Sequence, residues 1–463
     1  MSTSVDGLVS GLSTSSMITS LMQVEAAPQN RLKSKVSTAQ TAIASYMSVN
    51  AALTSLKNSA DSLGQLSTWR AVKATTSSST VTATALTGTN GASGTTVFDV
   101  KSLAKNQITT AKVPATGDIS SGTIQITTGP LDGSASDKAH TITLGDDKSA
   151  KGVAAAINAA GIGIKATVVT TGGANDILQI SGAKTGTGAA FRIDSGLDGV
   201  ASPLTNVATA ANAQLDIGGG DANAANGGYS VTSDTNTFAK LMPGVSITVS
   251  KLENDVTVTS DQDVSGIASK IQALVDAANG TLSEVAKQTA YDAATKKGSP
   301  LTGDFSVRNI SQSMLGKISL GLTYANPSYD KNQPTDAATK TNLEKISISL
   351  SKLGVELDRS GRLTFDSTKF TNSYNENPLQ MQAAGIEFAD QMEKYAGDQT
   401  TNITAVITGR KNEIDGLNTQ ISGWDLRLAA KRTALQKQYA DLETSLGKLK
   451  NQSTWLAGQL SGL

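Results

Sequence analysis

Two glycine clusters are the first features of the 463-residue chain that could bind a ligand, because glycine-rich loops can surround phosphate groups. The cluster at residues 88–94 has the wrong spacing for a dinucleotide-binding fingerprint. The run from Gly182 to Thr185 lacks the upstream glycine of a phosphate-binding loop. We therefore interpret both clusters as turns.

Loop carboxylates and one histidine are the other candidates. The carboxylates do not form the alternating loop that calcium requires; they are Asp132, Asp137, Asp146 and Asp147. His140 has no second histidine and no cysteine to share a metal or a proton with, so a surface or strand-edge side chain is expected. The sequence thus predicts no catalytic residue, no cofactor and no metal site, and the protein is not expected to be an enzyme.

Composition and charge narrow the function classes further. Aromatic residues make up 4% of the chain and charged residues 17%, and 39 basic residues balance 39 acidic ones. This balance argues against binding to nucleic acid or to an anionic membrane. No apolar run reaches the length of a membrane span, and the first cation is Arg31, so neither membrane insertion nor a cleavable secretory signal is expected.

The C-terminal end of the sequence carries a heptad repeat, which is typical of a coiled coil. An aliphatic residue occupies every seventh position, namely Ile407, Ile414, Ile421, Leu428, Leu435, Leu442, Leu449, Leu456 and Leu463. A single helix over residues 407–463 would be about 85 Å long, too long for the core of a compact domain. Glycines interrupt the repeat at positions 409, 416, 423, 447 and 458, so we expect this leg to be weakly ordered until a partner covers its leucines.

The N-terminal end has its own helical pattern. Its apolar stripe steps by three and four residues through Leu32, Val36, Ala39, Ile43, Tyr46, Val49, Leu53, Leu56, Ala60 and Leu63. Pro28 predicts a break between this helix and an earlier one over residues 13–27, which contains Ile18 and Leu21. The simplest arrangement pairs the two chain ends. We therefore expect an assembly interface formed by Ile18, Leu21, Leu32, Val36, Ile43 and the nine heptad positions.

The middle of the chain changes to the alternating pattern of β-strands. Strands are predicted at 81–85, 97–100, 124–126, 142–144, 162–168, 245–249 and 256–258. One helix over residues 149–160 interrupts them, with Gly161 as its C-terminal stop. A further helix follows Asp263, and a short hairpin over residues 353–366 turns at 358–361.

These patterns together predict a multidomain α+β fold. Long terminal coiled-coil helices form legs and a helical stalk, and inserted antiparallel β-rich domains form a head or plate. We expect the leg at 1–42 and 425–463, the stalk domain with its small hairpin at 43–74 and 264–424, a first head domain at 75–108 and 206–263, and a second head domain at 109–205 inserted in the first.

Several short segments, taken in order, resemble the family of flagellar filament cap proteins, also called hook-associated protein 2 or FliD. They are Ser10-Gly11-Leu12 with Ala26-Ala27-Pro28, residues 100–107, residues 154–169, Leu301-Thr302-Gly303-Asp304, Leu353-Gly354-Val355 with Gly361-Arg362-Leu363, and Asn377-Pro378. The sequence departs from the family pattern at Ser13, where an acidic residue is usual, and at Ala278-Asn279, where only the asparagine of an aromatic-Asn pair is kept.

The resemblance implies a secreted, extracellular protein at the distal tip of the bacterial flagellum, exported through the flagellar type III channel. It also implies partners: a ring-shaped homo-oligomer of the chain itself, flagellin, the hook–filament junction protein and an export chaperone. Two alternatives remain open at this point. A hook–filament junction protein or a flagellin also has paired terminal helices, and an adhesin could act through the Thr-rich head domains.

Overall fold

The structure is a computed structural model that describes residues 11, 13–88, 90–120, 122–200, 203–218, 228–336 and 342–460. The chain divides into two compact units. The first unit combines the two chain ends, Met1–Gln65 and Ala268–Leu463, and the second is Leu66–Ile267. Of the residues discussed above, Ser10, Leu12 and Leu463 lie outside the described ranges.

Helices dominate the two ends of the chain. Within the described ranges they are α1 (Thr14–Glu25), α2 (Ala27–Gly64), α3 (Leu66–Trp69), α4 (Ala150–Ala160), α5 (Val264–Thr289), α6 (Phe305–Ser319), α7 (Ser367–Glu376) and α8 (Pro378–Leu460).

Strands occupy most of the second unit. They are β1 (Val72–Thr76), β2 (Val81–Ala85), β3 (Gly94–Ser102), β4 (Ile108–Pro114), β5 (Thr123–Thr128), β6 (Lys138–Thr143), β7 (Ile164–Val169), β8 (Asn175–Gly182), β9 (Phe191–Ser195), β10 (Thr205–Ala208), β11 (Ala213–Ile217), β12 (Tyr229–Ser233), β13 (Thr237–Met242), β14 (Val245–Val249) and β15 (Glu253–Gln262). Among its described residues the first unit has three short strand pairs, β16 (Tyr291–Asp292) with β17 (Lys297–Gly298), β18 (Leu322–Ala325) with β19 (Lys345–Ile348), and β20 (Val355–Leu357) with β21 (Leu363–Phe365).

The first unit is built on the antiparallel pair of α2 and α8. The predicted break lies at Ala26, and Pro28 occupies the first turn of α2, where its missing N–H costs no hydrogen bond. The Lys57 ammonium lies 3.0 Å from the Glu393 carboxylate across the pair. The predicted pairing of the two chain ends is thereby confirmed.

Helix α8 is longer than the heptad repeat that predicts it. It contains 83 residues and spans about 125 Å if straight. Its first half is buried in the first unit through Phe388, Met392 and Tyr395. The heptads cover the second half of the helix, which packs on α2 and then on α1.

The hairpin of β20 and β21 is held against α5 by one side chain. The Asn279 amide donates to the Leu363 carbonyl at 2.8 Å, and its oxygen accepts the Leu363 N–H at 2.9 Å. The predicted hairpin and the predicted helix after Asp263 are both confirmed. The Asn279 side chain therefore pairs with the backbone of Leu363 as a neighbouring strand would.

In one part of the second unit, a five-stranded sheet packs against a three-stranded sheet. The strand orders are β1-β15-β3-β11-β12 and β13-β14-β2, all antiparallel. Their facing side chains form one hydrophobic cluster that includes Phe98, Leu215, Ile247 and Val258. The alternation read from the sequence therefore reports one buried face per strand.

The other part of the second unit combines the sheets β10-β4-β8-β7 and β6-β5-β9 with helix α4. Its separate hydrophobic cluster includes Ile124, Ile126, Ile157 and Leu178. The predicted helix is confirmed at both ends, because Ser149 caps its start and Gly161 has a left-handed φ of 63° at its end. The finer domain boundaries given above stay a prediction.

Candidate assembly interface

The predicted interface residues begin in the paired part of α2 and α8. Gln29 lies beside Asp425 and Lys57 beside Glu393, and this antiparallel register brings the segment of α2 from Leu32 to Ile43 alongside residues 407–421 of α8. Ile407 is buried. The other predicted residues in this part are half-buried, namely Leu32, Val36, Ile43, Ile414, Ile421 and Leu428. The two helices thus cover each other only partly.

A buried polar contact fixes the register of this pair. Gln29 is 4% exposed, and its amide donates to the Asp425 carboxylate at 2.5 Å and to the Ile421 carbonyl at 3.4 Å. A polar side chain at a seam position favours one register, because any other alignment leaves it buried without a partner. Gln29 is not among the interface residues predicted from the sequence. Extending the stripe one step back from Leu32 finds it.

Helix α1 continues the contact with α8 beyond Ala26. Ile18 is buried, whereas Leu21 is 43% exposed. The Glu25 carboxylate lies 3.5 Å from the Lys431 ammonium. Tyr439 of α8 lines a shallow groove with α1 residues that include Leu21. The antiparallel pairing therefore extends at least to Tyr439.

Towards the end of α8 the heptad positions become exposed. Leu435 is half-buried, but Leu442 is 48% exposed, Leu449 60% and Leu456 56%. Trp455 is exposed as well. These leucines follow the same heptad as the buried Ile407, so they form an apolar row that the described residues leave about half exposed. The assembly role of the predicted positions stays a prediction.

A buried tyrosine links three elements of the first unit. The Tyr46 hydroxyl, on α2, donates to the Asp304 carboxylate, which also accepts the Val307 N–H at 3.1 Å and caps α6. Burial, together with this hydrogen bond, raises the pKa of Tyr46 to about 12. Arg410 of α8 also interacts with Tyr46. Tyr46 therefore connects α2 with the start of α6 and with α8.

The loop carboxylates bind their own backbone. Asp137 accepts the N–H groups of Leu131 and Gly133, each at 2.7 Å, and Asp132 accepts that of Ser134. His140 lies on the edge strand β6, with its Nε2 3.0 Å from the Thr128 hydroxyl. In the described part of the chain, no three histidine or acidic side chains come together as metal ligands would. Nor does any described helix have the length and hydropathy of a membrane span.

Comparison with known protein families gives two matches that together span most of the chain. Residues 10–107 match the family described as the N-terminus of flagellar hook-associated protein 2. Residues 210–451, more than half of the chain, match the family described as its C-terminus. Helices α1 and α2, the two sheets β1-β15-β3-β11-β12 and β13-β14-β2, and α8 up to residue 451 thus lie within the matched ranges.

Individual relatives are more distant. Flagellar hook-associated protein 2 of Salmonella typhimurium is 24% identical over 352 residues, which cover 68% of each chain. That of Campylobacter jejuni is 26% identical over 180 residues, covering 39% of this chain and 26% of the relative. The chain therefore matches only about a quarter of the length of the Campylobacter relative.

A solved structure shares the fold. The D1-D2-D3 domains of the flagellar cap protein FliD from Escherichia coli align with a TM-score of 0.59 at 21% identity, over 79% of this chain and 99% of that one. This likeness agrees with the predicted multidomain α+β class. On the strength of the two family matches, the chain belongs to the flagellar hook-associated protein 2 (FliD) family.

Proposed function

We propose that this chain caps the distal end of a bacterial flagellar filament, where it promotes flagellin polymerisation and prevents the loss of monomeric flagellin. The observation that carries the proposal is the exposed row of Leu442, Leu449 and Leu456 at the end of α8, a helix that is otherwise packed from Met381 to Leu417. Membership of the hook-associated protein 2 family supports it.

The exposed row has the properties that a capping leg requires. Each leucine contributes about 1.5–3 kcal/mol only when a partner covers it fully. Each glycine in the helix costs about 1 kcal/mol relative to alanine. Gly409, Gly416 and Gly423 lie on the exposed side of the part of α8 that pairs with α2, and Gly447 and Gly458 lie in the end that carries the exposed leucines. Binding is then strong over the whole leg and weak for each turn, so the leg can hold the filament end and still shift when a subunit enters.

The remaining parts of the proposal concern partners and location. The chain acts as a structural protein, not as an enzyme, in a ring-shaped homo-oligomer with the β-rich second unit as its head. Its partners are flagellin, the hook–filament junction protein and an export chaperone. It resides outside the cell at the flagellar tip, and it arrives there through the type III channel.

The alternative interpretations gain no support from the matched families or from the described structure. A junction protein or a flagellin would also bury terminal helices, but the matched families are those of hook-associated protein 2. An adhesin would act through the head, and nothing among the described residues of the second unit points to a host ligand. We therefore retain the cap as the single proposal.

Complementation tests this proposal. The chain is produced in a flagellated strain that lacks its own cap protein, and monomeric flagellin in the medium is measured together with filament length. We expect filaments to return and free flagellin to fall, with the chain detected at filament tips by immunogold labelling. Continued release of flagellin from a strain that exports the chain would overturn the proposal.

A further inference from the structure

A cleft of about 470 Å³ lies between the sheets β6-β5-β9 and β10-β4-β8-β7 of the second unit. One wall is the edge strand β9, through Phe191 and Ile193. The other wall belongs to β4 and β10, through Thr109 and Asn206, and Leu131 of the loop before β6 lines the cleft as well. The volume lies in the range of pockets that bind ligands.

One side chain at the cleft already pairs with β9 as a neighbouring strand would. The Gln107 amide donates to the Phe191 carbonyl at 2.7 Å, and the Gln107 side-chain oxygen accepts the Phe191 N–H at 3.1 Å. Gln107 is buried, and its amide also donates to the Thr109 hydroxyl at 3.1 Å. The edge of β9 is therefore paired at Phe191 by a side chain.

The next backbone groups along the same edge have no such neighbour. In an antiparallel pair, the N–H and C=O groups of every second residue point to the same side of the strand. The register of β9 with β5 is regular from Phe191 to Ile193, so the backbone groups of Ile193 face the cleft as those of Phe191 do. Within the described part of the chain, neither the N–H nor the carbonyl of Ile193 bonds to a partner on this side. An open edge of this kind can accept a strand.

The polar groups of the cleft favour an uncharged ligand. Asn206 uses its Oδ1 to accept the Thr109 hydroxyl at 2.7 Å, which leaves its Nδ2 as a donor without a partner among the described residues. Arg192 is the one charged residue in the described lining, and its guanidinium lies 2.6 Å from the Asp194 carboxylate. The arginine charge is thus already compensated within β9.

Leu131 is held in a strained conformation at the cleft. Its φ is 60°, in the left-handed region that leucine rarely adopts. The Asp137 carboxylate fixes this conformation by accepting the N–H groups of Leu131 and Gly133, each at 2.7 Å. Strained residues of this kind cluster at functional sites. Leu131, Leu204 and Ile193 together give the cleft an apolar lining.

We propose that this cleft binds an extended, uncharged peptide segment of a partner protein. The segment pairs with β9 through the backbone of Ile193 and places one apolar side chain against Leu131 and Leu204. Gln107 sets where the added strand ends, because the backbone of Phe191 is already paired. Backbone hydrogen bonds supply the affinity of such a complex, and the apolar contact supplies its sequence preference. The cleft lies wholly within the second unit, so its occupancy does not depend on the capping function.

A peptide titration of the full chain tests the proposal. The probe is a fluorescein-labelled peptide with blocked ends and the sequence Ser-Thr-Leu-Thr-Ser. The control is the same peptide with an N-methylated leucine, which keeps the side chain but cannot donate to the Ile193 carbonyl. We expect saturable binding of the probe by fluorescence anisotropy and about tenfold weaker binding of the control. The probe should also slow hydrogen exchange of the Ile193 N–H.

A matched pair of glycine variants tests the apolar wall. Leu131→Gly removes the side chain, and glycine adopts a φ of 60° without strain. Lys296→Gly relieves the same kind of strain at a φ of 55° in the first unit, away from the cleft. Both variants should unfold at about the temperature of the unmodified chain. Only Leu131→Gly should bind the probe about tenfold more weakly.

Several results would overturn the proposal. They are the absence of saturable binding, equal binding of the N-methylated peptide, unchanged exchange of the Ile193 N–H, and unchanged binding by Leu131→Gly. A change in the sedimentation of the chain alone on Leu131→Gly would identify a second copy as the occupant, which also contradicts a partner protein. None of these measurements involves flagellin, so a failure here leaves the proposed capping function to be judged by its own experiment.

Discussion

Gln29 and Asp425 lie 396 residues apart in the sequence, yet the Gln29 amide donates to the Asp425 carboxylate at 2.5 Å. Gln29 is buried between α2 and α8, and Asp425 lies at the exposed rim of the same contact. The contact sets one alignment of the two chain ends. The exposed seam that begins near Leu442 is a consequence of that alignment, since α1 and α2 cover α8 only as far as the register allows.

A double-mutant cycle measures this contact. Gln29→Ala and Asp425→Ala should each lower the free energy of unfolding, with a coupling energy of about 1 kcal/mol because one partner is charged but solvent-exposed. Denaturant unfolding of the single and double variants gives the value. The control is Asn30→Ala, the exposed neighbour on the same turn of α2. Coupling within error of zero would show that the contact does not fix the register.

The Tyr46 pKa predicts a loss of stability in alkali. The folded chain holds the Tyr46 pKa near 12, against 10 for an ordinary tyrosine, so the unfolded chain releases this proton first as pH rises. The stabilisation is complete below pH 10 and is lost between about pH 10 and 12, by roughly 2 kcal/mol. Urea unfolding of the native chain and of Tyr46→Phe over this range measures the effect. Equal slopes for the two proteins would contradict the prediction.

Asn279 predicts a local effect on the β20–β21 hairpin. In Asn279→Asp a carboxylate oxygen replaces the amide that donates to the Leu363 carbonyl, so the free energy of unfolding should fall by about 1–3 kcal/mol. Amide hydrogen exchange should rise first in the hairpin. Asn418→Asp, at an exposed position on α8, is the matched control. An exchange pattern identical to that of the control would remove the proposed role of Asn279.

Replacing glycines of α8 is expected to raise the stability of the helix and to slow filament assembly. A methyl group added at Gly409, Gly416 or Gly423 meets no atom within 4 Å, so alanine fits at each position. Each substitution should stabilise the helix by about 1 kcal/mol. If weak binding per turn matters for capping, the triple alanine variant should unfold at a higher temperature and yet elongate filaments more slowly. Normal elongation by the stabilised variant would show that the glycines have no such role.

The sequence could predict what depends on local pattern. The heptads, Pro28 and the Ser149–Gly161 caps predict the helices and the pairing of the chain ends, because periodicity and caps act within a few turns. The sequence could not predict the contact of Tyr46 with Asp304, since no local pattern shows which distant helix start lies beside a tyrosine. Nor could it predict where along the heptads the cover ends, because an apolar position looks the same in sequence whether or not a partner reaches it.

We propose that the exposed end of α8 is the surface that holds the filament tip. The test replaces Leu435, Leu442 and Leu449 with alanine. The isolated chain should lose little stability, because two of these side chains are about half exposed in it. At a filament tip that covers them, each replacement should cost about 2–5 kcal/mol. The matched control replaces Lys437, Thr444 and Asn451, which are exposed outside the seam.

The decisive measurement is monomeric flagellin in the medium of a strain whose only cap protein is the triple leucine variant. We expect this variant to be exported and folded, free flagellin to accumulate and filaments to be short, whereas the control variant should retain flagellin. Normal filaments and retained flagellin with the leucine variant would show that the exposed seam is not the docking surface.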